Sequence, residues 1–514
     1  MATLFLDTRR LDHYDLFLRV KALPVYSVQG HTVSFPDEYL ARLELAASEG
    51  SLEADYQPSE FLFDYQQDIA RLAILKRKFA VFAACGLGKT LIMLDYVRHA
   101  SELLSLSGSG KRVLIVSPLM VVQQTMSEAE RFYKGSLRLE QVRAKDLPTW
   151  LRSPGNSIGI ANYEAITPEL AHQWSRLGCL VLDESSMLKS HYGAWAQRLI
   201  EMGRGLDYKL CLTGTPAPND RIEYANHAVF LDQFPTVNSF LSRYFVNRGQ
   251  TDNRWELKPH ALRPFYRSLS HWCIFLESPA TYGWKDNVGV IPPINIHIHD
   301  VELTDAQRDR VRDVSKDLYG SPGGVTSRSK LAQLAKGRHN GVAVDTLKPT
   351  FIRDELIGTW PDESTIVWTR YNPEQEMLRR ILPGCGSISG NTPEDERIRI
   401  IQAFQAGTIR TLVSKPSILG YGLNLQIATR QVFNGLWDSY ESYWQAIKRS
   451  NRIGSKKPLN VHIPVTEIEK AMVDSVMRKA KMIEEDTRIQ ECLFKEMSVH
   501  STLPLQREAN NAGH

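Results

Sequence analysis

The sequence predicts an α/β protein with two parallel-sheet halves, and three features carry that prediction. Residues 78–84, KFAVFAA, form an apolar run of strand length. It passes through a glycine turn into TLIMLDYVRHA, where Leu91, Leu94 and Val97 share one helical face. Two later apolar runs, in CLVLDESSMLKS and KLCLTGTPAPND, read as buried strands ending in Asp183-Glu184 and in Thr213-Gly214-Thr215-Pro216. From about residue 346 strand and helix patterns alternate again. Strands whose polar residues gather at their ends, with helices between them, describe the carboxyl edge of a parallel sheet. That edge is where open α/β sheets bind ligands.

Composition bounds the rest. At 514 residues the chain is long enough for two or three domains with full cores. Its 43% hydrophobic and 23% charged residues are those of a globular protein in water. A net charge of +4 permits a nucleic-acid partner without arguing for one. Six cysteines (Cys85, Cys179, Cys211, Cys273, Cys385, Cys492) include no C-x-x-C pair. That spacing indicates neither a zinc knuckle nor a disulfide framework and fits a reducing cytoplasm. The opening MATLFLDTRRLDHYD is charged too early for a signal-peptide core, and VLIVSPLMVV is too short to span a bilayer, so no membrane partner is expected.

The glycine turn carries the first chemistry. Gly86, Gly88, Lys89 and Thr90 end a phosphate-loop pattern, although Ala83 stands where its first glycine belongs. In such a loop backbone N–H groups at a helix N-terminus surround phosphates. Lys89 then faces the β- and γ-phosphates, and the Thr90 hydroxyl faces Mg²⁺. Asp183, at a strand end, is placed to hold Mg²⁺ through water, and Glu184 to position or deprotonate the attacking water.

Loop, DESS and TGTP, in this order, resemble motifs I, II and III of superfamily two helicases, and of the Swi/Snf-type DNA translocases in particular. That family commonly writes its loop as G-x-G-K-T, as here. The resemblance extends over roughly residues 58–490 and is strongest to the compact Swi/Snf-like proteins carried by phages and prophages. It implies two RecA-like lobes with ATP in the cleft between them. FDYQQDIARLAI resembles the Q motif and implies Gln66 on the adenine edge. VLIVSPLMVVQQTMSEAERF resembles motif Ia, and IGIANYEAI the strand that follows it.

In the second half the resemblance implies motifs IV, V and VI. The spacing Gln445, Arg449, Arg452, Gly454 matches Q-x-x-x-R-x-x-R-x-G, so one or both arginines are expected at the γ-phosphate. Gly422 and Gln445 are expected near nucleotide. Ser455 stands where remodellers often carry glutamine. Ser117, Pro118, Gln124, Asn162, Tyr163 and Thr213 in the first lobe, with Thr369, Arg370, Ser414 and Lys415 in the second, are the expected nucleic-acid contacts.

The domains read as an N-terminal extension (1–57) with a hairpin around Gln29-Gly30, a first lobe (58–245) and an inter-lobe helical insertion (246–345). A second lobe (346–465) and a C-terminal helix and tail (466–514) follow. His299-Asp300 spells the HD of a metal phosphohydrolase, but the alternation of Ile294, Ile296 and Ile298 makes that stretch a strand. GRHNG falls short of an H-N-H nuclease. The expected function is an ATP- and Mg²⁺-dependent, nucleic-acid-stimulated motor on DNA, duplex favoured and single strand allowed, in a bacterial or phage-infected cytoplasm. Protein partners in a replication, recombination or defence complex are expected. A strand-separating helicase on DNA or RNA, and an ATP-gated DNA clamp, are the alternatives.

Overall fold

The computed structural model describes residues 2–7, 9–21, 23, 26–35, 39–40, 43, 56–155, 157–170, 174–189, 194–249, 255–285, 291–316, 325–419, 425–436, 440–452 and 454–497. The chain divides into two compact units, Met1–Val288 with Glu485–His514, and Gly289–Glu484.

In the first unit β1 (Ala2–Phe5), β2 (Ser27–Gln29) and β3 (Thr32–Phe35) make a small antiparallel sheet. Its β2–β3 hairpin turns at Gly30, whose φ of +60° is open to glycine at no steric cost. The main sheet takes β4 (Lys78–Ala83), β5 (Arg112–Ser117), β6 (Leu139–Gln141), β7 (Ile158–Asn162), β8 (Leu177–Asp183) and β9 (Tyr208–Thr213). An antiparallel pair, β10 (Phe245–Asn247) and β11 (Trp255–Leu257), precedes the last strand of that sheet, β12 (Cys273–Leu276). The order is β12-β4-β9-β8-β5-β7-β6, and every pairing is parallel. All seven residues of β8 and all six of β9 are buried, as a sheet covered on both faces requires.

This order sets the ends of β4, β9, β8, β5 and β7 side by side. Strands lie about 4.8 Å apart, so the loops after them form one continuous edge.

The second unit repeats the plan. It holds β13 (Ile294–Asp300), a short pair β14 (Arg338–His339) and β15 (Val342–Ala343), then β16 (Thr365–Trp368), β17 (Gly386–Ile388), β18 (Thr411–Ser414), β19 (Arg430–Phe433) and β20 (Leu459–Val465). The order β13-β20-β19-β16-β18-β17 is again wholly parallel.

Residues 246–345, read from sequence as a helical insertion, contain the helices Leu262–Trp272, Asp305–Lys316 and Val325–Ala335. They also supply β12 to the first sheet and β13 to the second. The apolar run CIFL is too short to show a period, and the Arg- and aromatic-rich stretch before it hid a strand that pairs with β4. β13 is the strand that the Ile294–Ile296–Ile298 alternation predicts.

A cluster of buried charges braces the second unit. Glu469 is 1% exposed and receives Lys336 Nζ at 2.7 Å and Lys348 Nζ. Burial pushes its carboxyl up, but the two ammonium groups outweigh that and hold it at about 2. A Cβ at Gly435 (φ +82°) would sit 2.3 Å from Glu469 Oε1, so only glycine lets the backbone pass.

Removing Glu469 leaves two buried ammonium groups without their counter-charge. Glu469→Ala should cost about 3–5 kcal/mol, read as a lower denaturant midpoint. Because the folded value is depressed, the carboxylate's contribution is full above its ordinary 4.5 and fades only as pH falls towards 2. An unchanged midpoint would show that the cluster does not brace the unit.

Candidate nucleotide site and nucleic-acid face

The turn after β4 is built as a loop that leaves its backbone free. Gly86 and Gly88 have φ of +93° and +68°, the left-handed region that glycine enters without strain. At Gly88 a Cβ would also stand 2.2 Å from Gln66 Nε2, so the Gln66 amide would have to leave its place on the loop. Ala83 is the last residue of β4 and is buried, with no positive φ. A glycine is unnecessary there, which explains the shortened pattern. Ala84 N–H donates to Leu276 O at 2.8 Å, so β12 pins the loop where it leaves the sheet.

Gln66 is buried and engaged at both ends of its amide. Its Oε1 accepts from Phe63 N–H at 3.0 Å, and its Nε2 donates to Leu87 O at 3.3 Å. Tyr65 OH donates to the same carbonyl at 3.0 Å. The Q-like segment therefore grips the loop's backbone. Lys89, half-buried at the start of the helix Lys89–Leu106, donates from Nζ to Ala83 O at 2.8 Å and Ala84 O at 3.3 Å. Thr90 follows it, half-buried, in the first turn.

The carboxylates stand two strands away. Asp183 is 7% exposed; its Oδ2 accepts from Ser117 Oγ at 2.8 Å, and its backbone carbonyl accepts from Tyr163 OH at 2.7 Å. Burial and then the neighbouring Glu184 push Asp183 up to about 7, against the Ser117 hydrogen bond and the Lys89 charge. Glu184 adopts φ +51°, ψ +52° at the head of the turn Ser185–Leu188. Its Oε2 accepts from Thr213 Oγ1 at 3.4 Å, and Thr213 Oγ1 accepts from Thr215 N–H at 3.2 Å. A Cβ at Gly214 would lie 3.4 Å from Ala83 O and 3.7 Å from Lys89 Nζ, which places TGTP against the phosphate loop. Loop, DESS and TGTP are thus one cluster in the first unit.

Among the described residues no group of three or more His, Cys, Asp or Glu is placed to hold a metal ion by itself. The donor set fits Mg²⁺ all the same. This ion favours hard oxygen donors and usually takes only one or two protein carboxylates beside phosphates. A buried carboxylate whose surroundings disfavour its charge is a place where a divalent cation is stabilising.

In the second unit the basic loop follows the helix Tyr440–Ile447. Gln445 and Arg449 are half-buried, and Arg449 O accepts from Leu425 N–H at 3.1 Å. Arg452 N–H donates to Ser455 Oγ at 3.2 Å, and Ser455 Oγ donates to Ser450 O at 2.6 Å. Gln431 Nε2 donates to Ser450 Oγ at 2.8 Å. Ser455 thus ties the turn that carries Arg452. Gly422 lies outside the described residues.

The expected nucleic-acid residues divide by burial. Ser117, Tyr163, Thr213, Thr369 and Ser414 are all 1% exposed or less. The first three serve Asp183 and Glu184. Thr369 Oγ1 donates to Ser414 O at 3.3 Å, and Ser414 Oγ to Ile388 O at 2.7 Å. Their side chains support the sheet edge from behind. Pro118, Gln124, Asn162 and Lys415 are half-buried and Arg370 is exposed. Sequence reasoning missed Tyr65 as a loop holder, and it missed the pair Ser185 Oγ to His227 Nε2 at 3.1 Å. Nothing in the chain order flags either, since both depend on packing.

Two parallel-sheet units, the first with a glycine loop beside paired carboxylates, fit the helicase and translocase class of ATPases. Residues 81–341 match the SNF2-related domain and residues 348–454 the Helicase conserved C-terminal domain. The chain belongs to the SNF2-related family. Putative protein p41 of Acyrthosiphon pisum secondary endosymbiont phage 1 is 26% identical over 77% of this chain and 91% of its own length. The putative ATP-dependent helicase/translocase YwqA of Bacillus subtilis (strain 168) is 25% identical over 75% of this chain and 44% of its own. The DNA annealing helicase and endonuclease ZRANB3 of Mus musculus is 22% identical over 86% and 42%. The chain spans less than half the length of these last two relatives. The Sulfolobus solfataricus SWI2/SNF2 ATPase core in complex with dsDNA aligns with 87% of this chain and 98% of its own at 18% identity and a TM-score of 0.40. Among the described residues no helix is long and apolar enough to cross a membrane.

The loop geometry has a direct test. Gly88→Ala should abolish nucleotide binding, measured with a fluorescent ATP analogue, while the protein still melts cooperatively. Gly205→Ala is the control, because Gly205 shares the positive φ (+72°) but has nothing within 4 Å of a new Cβ. Normal binding by Gly88→Ala would detach the loop from nucleotide.

Proposed function

We propose that the chain is an ATP-driven DNA translocase that works on duplex DNA and leaves base pairing intact. The observation that carries this reading is the placement of phosphate loop, Asp183-Glu184 and Thr213–Pro216 on one sheet edge, in a chain of the SNF2-related family. Lys89 and the loop N–H groups hold the phosphates, with Gln66 and Tyr65 fixing the loop. Gln66 would reach adenine only by exchanging one of its amide bonds. Thr90 and Asp183 would hold Mg²⁺, which when bound would supply positive charge beside the phosphates. Glu184 orients and deprotonates the attacking water.

Arg449 and Arg452, with Gln445 and Gly422, are the second unit's candidates for meeting the γ-phosphate, as the family resemblance implies. Charge that builds on the phosphoryl oxygens in the transition state is met by a fork that never loses its proton. The nucleic-acid contacts of each unit, taken by itself, are its accessible candidates: Pro118, Gln124 and Asn162 in the first, Arg370 and Lys415 in the second. These groups suit phosphates and sugars, which carry no sequence information. The reading places the protein in a bacterial or phage-infected cytoplasm, alongside proteins of DNA replication, recombination or defence.

Hydrolysis is tested first. Glu184→Gln should bind ATP and turn over about 10²–10⁴-fold more slowly, whereas Lys89→Ala should lose nucleotide affinity itself. Arg452→Ala should cut turnover by about 10³ or more with little change in ATP binding; Arg449→Ala, measured beside it, tells which arginine is the finger. An Arg452→Ala variant that lost DNA binding and kept its basal rate would move Arg452 to the nucleic-acid face.

Motion is tested with DNA. ATPase rate should rise with duplex DNA more than with single strands or RNA, and the DNA affinity should fall with salt at about −0.9 in log–log slope per phosphate contact. The protein should displace the third strand of a triplex and separate a forked duplex poorly. Fork unwinding without triplex displacement would identify a helicase, and ATP-dependent retention with neither activity a clamp.

A further inference from the structure

We propose that the short helix Tyr224–Phe230, through Asn226 and His227, is the positioning element for Glu184. Glu184 has a left-handed backbone that a residue with a Cβ adopts only when its surroundings hold it there. The turn it heads is held at both ends by two consecutive side chains of that helix. At the start, Ser185 Oγ bonds His227 Nε2 at 3.1 Å; at the end, Asn226 Nδ2 donates to Leu188 O at 2.6 Å. Ser185, Asn226 and His227 are each 1% exposed or less, so neither bond competes with water.

The same helix packs on the strand that leads into the glycine loop, and the residue before it holds the loop after TGTP. The His227 ring meets Phe82 edge-on at 5.3 Å, and Phe82 is the next-to-last residue of β4, just ahead of the phosphate loop. Glu223, directly before the helix, accepts from Asn219 N–H at 3.0 Å and from Asn219 Nδ2 at 2.9 Å, which fixes the loop after TGTP. One helix and the residue before it thus tie the Glu184 turn to the end of β4 and to the loop after Thr213–Pro216. Burial pushes His227 down to about 4, so it is a neutral hydrogen-bonding group near neutral pH and adds no charge to the carboxylate pair. A leucine of similar size would fill the space and make none of these bonds.

The inference rests on Glu184 being the group that orients water, and the test separates the two ideas. Steady-state turnover is measured against ATP concentration for His227→Leu, His227→Gln, Ser185→Ala, the Leu–Ala double variant and Glu184→Gln, each with a thermal melt. A carboxylate displaced by about 1 Å loses on the order of 10²-fold in rate. His227→Leu should therefore lower kcat about 10²-fold with KM for ATP within about twofold. His227→Gln, whose amide reaches the Nε2 position, should recover most of the loss. Ser185→Ala should match His227→Leu, and the double variant should be no worse, because both remove one bond.

Normal kcat in His227→Leu, or losses that add in the double variant, would overturn the positioning role. If His227→Leu does not fold, Ser185→Ala decides alone by the same criterion. Normal turnover in Glu184→Gln would instead remove the parent assignment, whatever His227 does.

Discussion

The carboxylate of Asp183 is the group on which the rest of the first unit depends. It lies in a sheet whose strands are apolar on both faces, so its charge has almost no water to stabilise it. A group so placed either protonates or gathers donors and cations around it. Ser117 from β5 donates to it, Tyr163 just past β7 fixes its backbone carbonyl, and Lys89 from the start of the helix Lys89–Leu106 lowers its cost. Two strand ends and the helix start after β4 thus converge on one residue, and the parallel order β4-β9-β8-β5-β7 is what makes them neighbours. A divalent cation would complete the set.

Much of this was legible in the sequence, because it depends on local rules. Apolar runs of strand length, a glycine turn and a helix period located β4, β8 and β9 with their loops. The missing first glycine stopped being a departure once Ala83 proved to be strand rather than turn. The strand β12 was hidden by its length, since four apolar residues carry no periodicity. Buried lysines were hidden for another reason. Lys336 and Lys348 find Glu469 across 133 and 121 positions, and Lys209, inside β9, finds Asp232 at 2.7 Å. Sequence patterning reads a lysine as surface unless its partner is already known.

The candidate site was legible in its residues more than in their directions. A hydroxyl at the end of a strand can face a ligand or turn back to its own sheet, and chain order does not distinguish the two. Ser117, Tyr163, Thr213, Thr369 and Ser414 all turn back. Two loops, one of them a departure from the family pattern at Ser455, are tied by hydroxyls of the same kind. Ser455, in the place of a glutamine, joins Arg452 to Ser450, and Ser185 joins the Glu184 turn to His227.

The two sheet edges therefore share one construction in two layers. The inner layer is small hydroxyls bonded to carbonyls and carboxylates of neighbouring strands: Thr213 on Glu184, Ser117 on Asp183, Ser414 on Ile388 and Thr369 on Ser414. It satisfies polar groups that water cannot reach, which a buried strand end must do before it can carry anything else. In the second unit the outer layer is the very next residue, Arg370 after Thr369 and Lys415 after Ser414, and it carries the charges at that edge. A change in the outer layer alters charge at the edge while the sheet keeps its bonds. A change in the inner layer strips a partner from a buried group and moves the outer residue with it. At Thr369-Arg370 and Ser414-Lys415 the group that supports the sheet and the group that faces outward are thus separated by a single position.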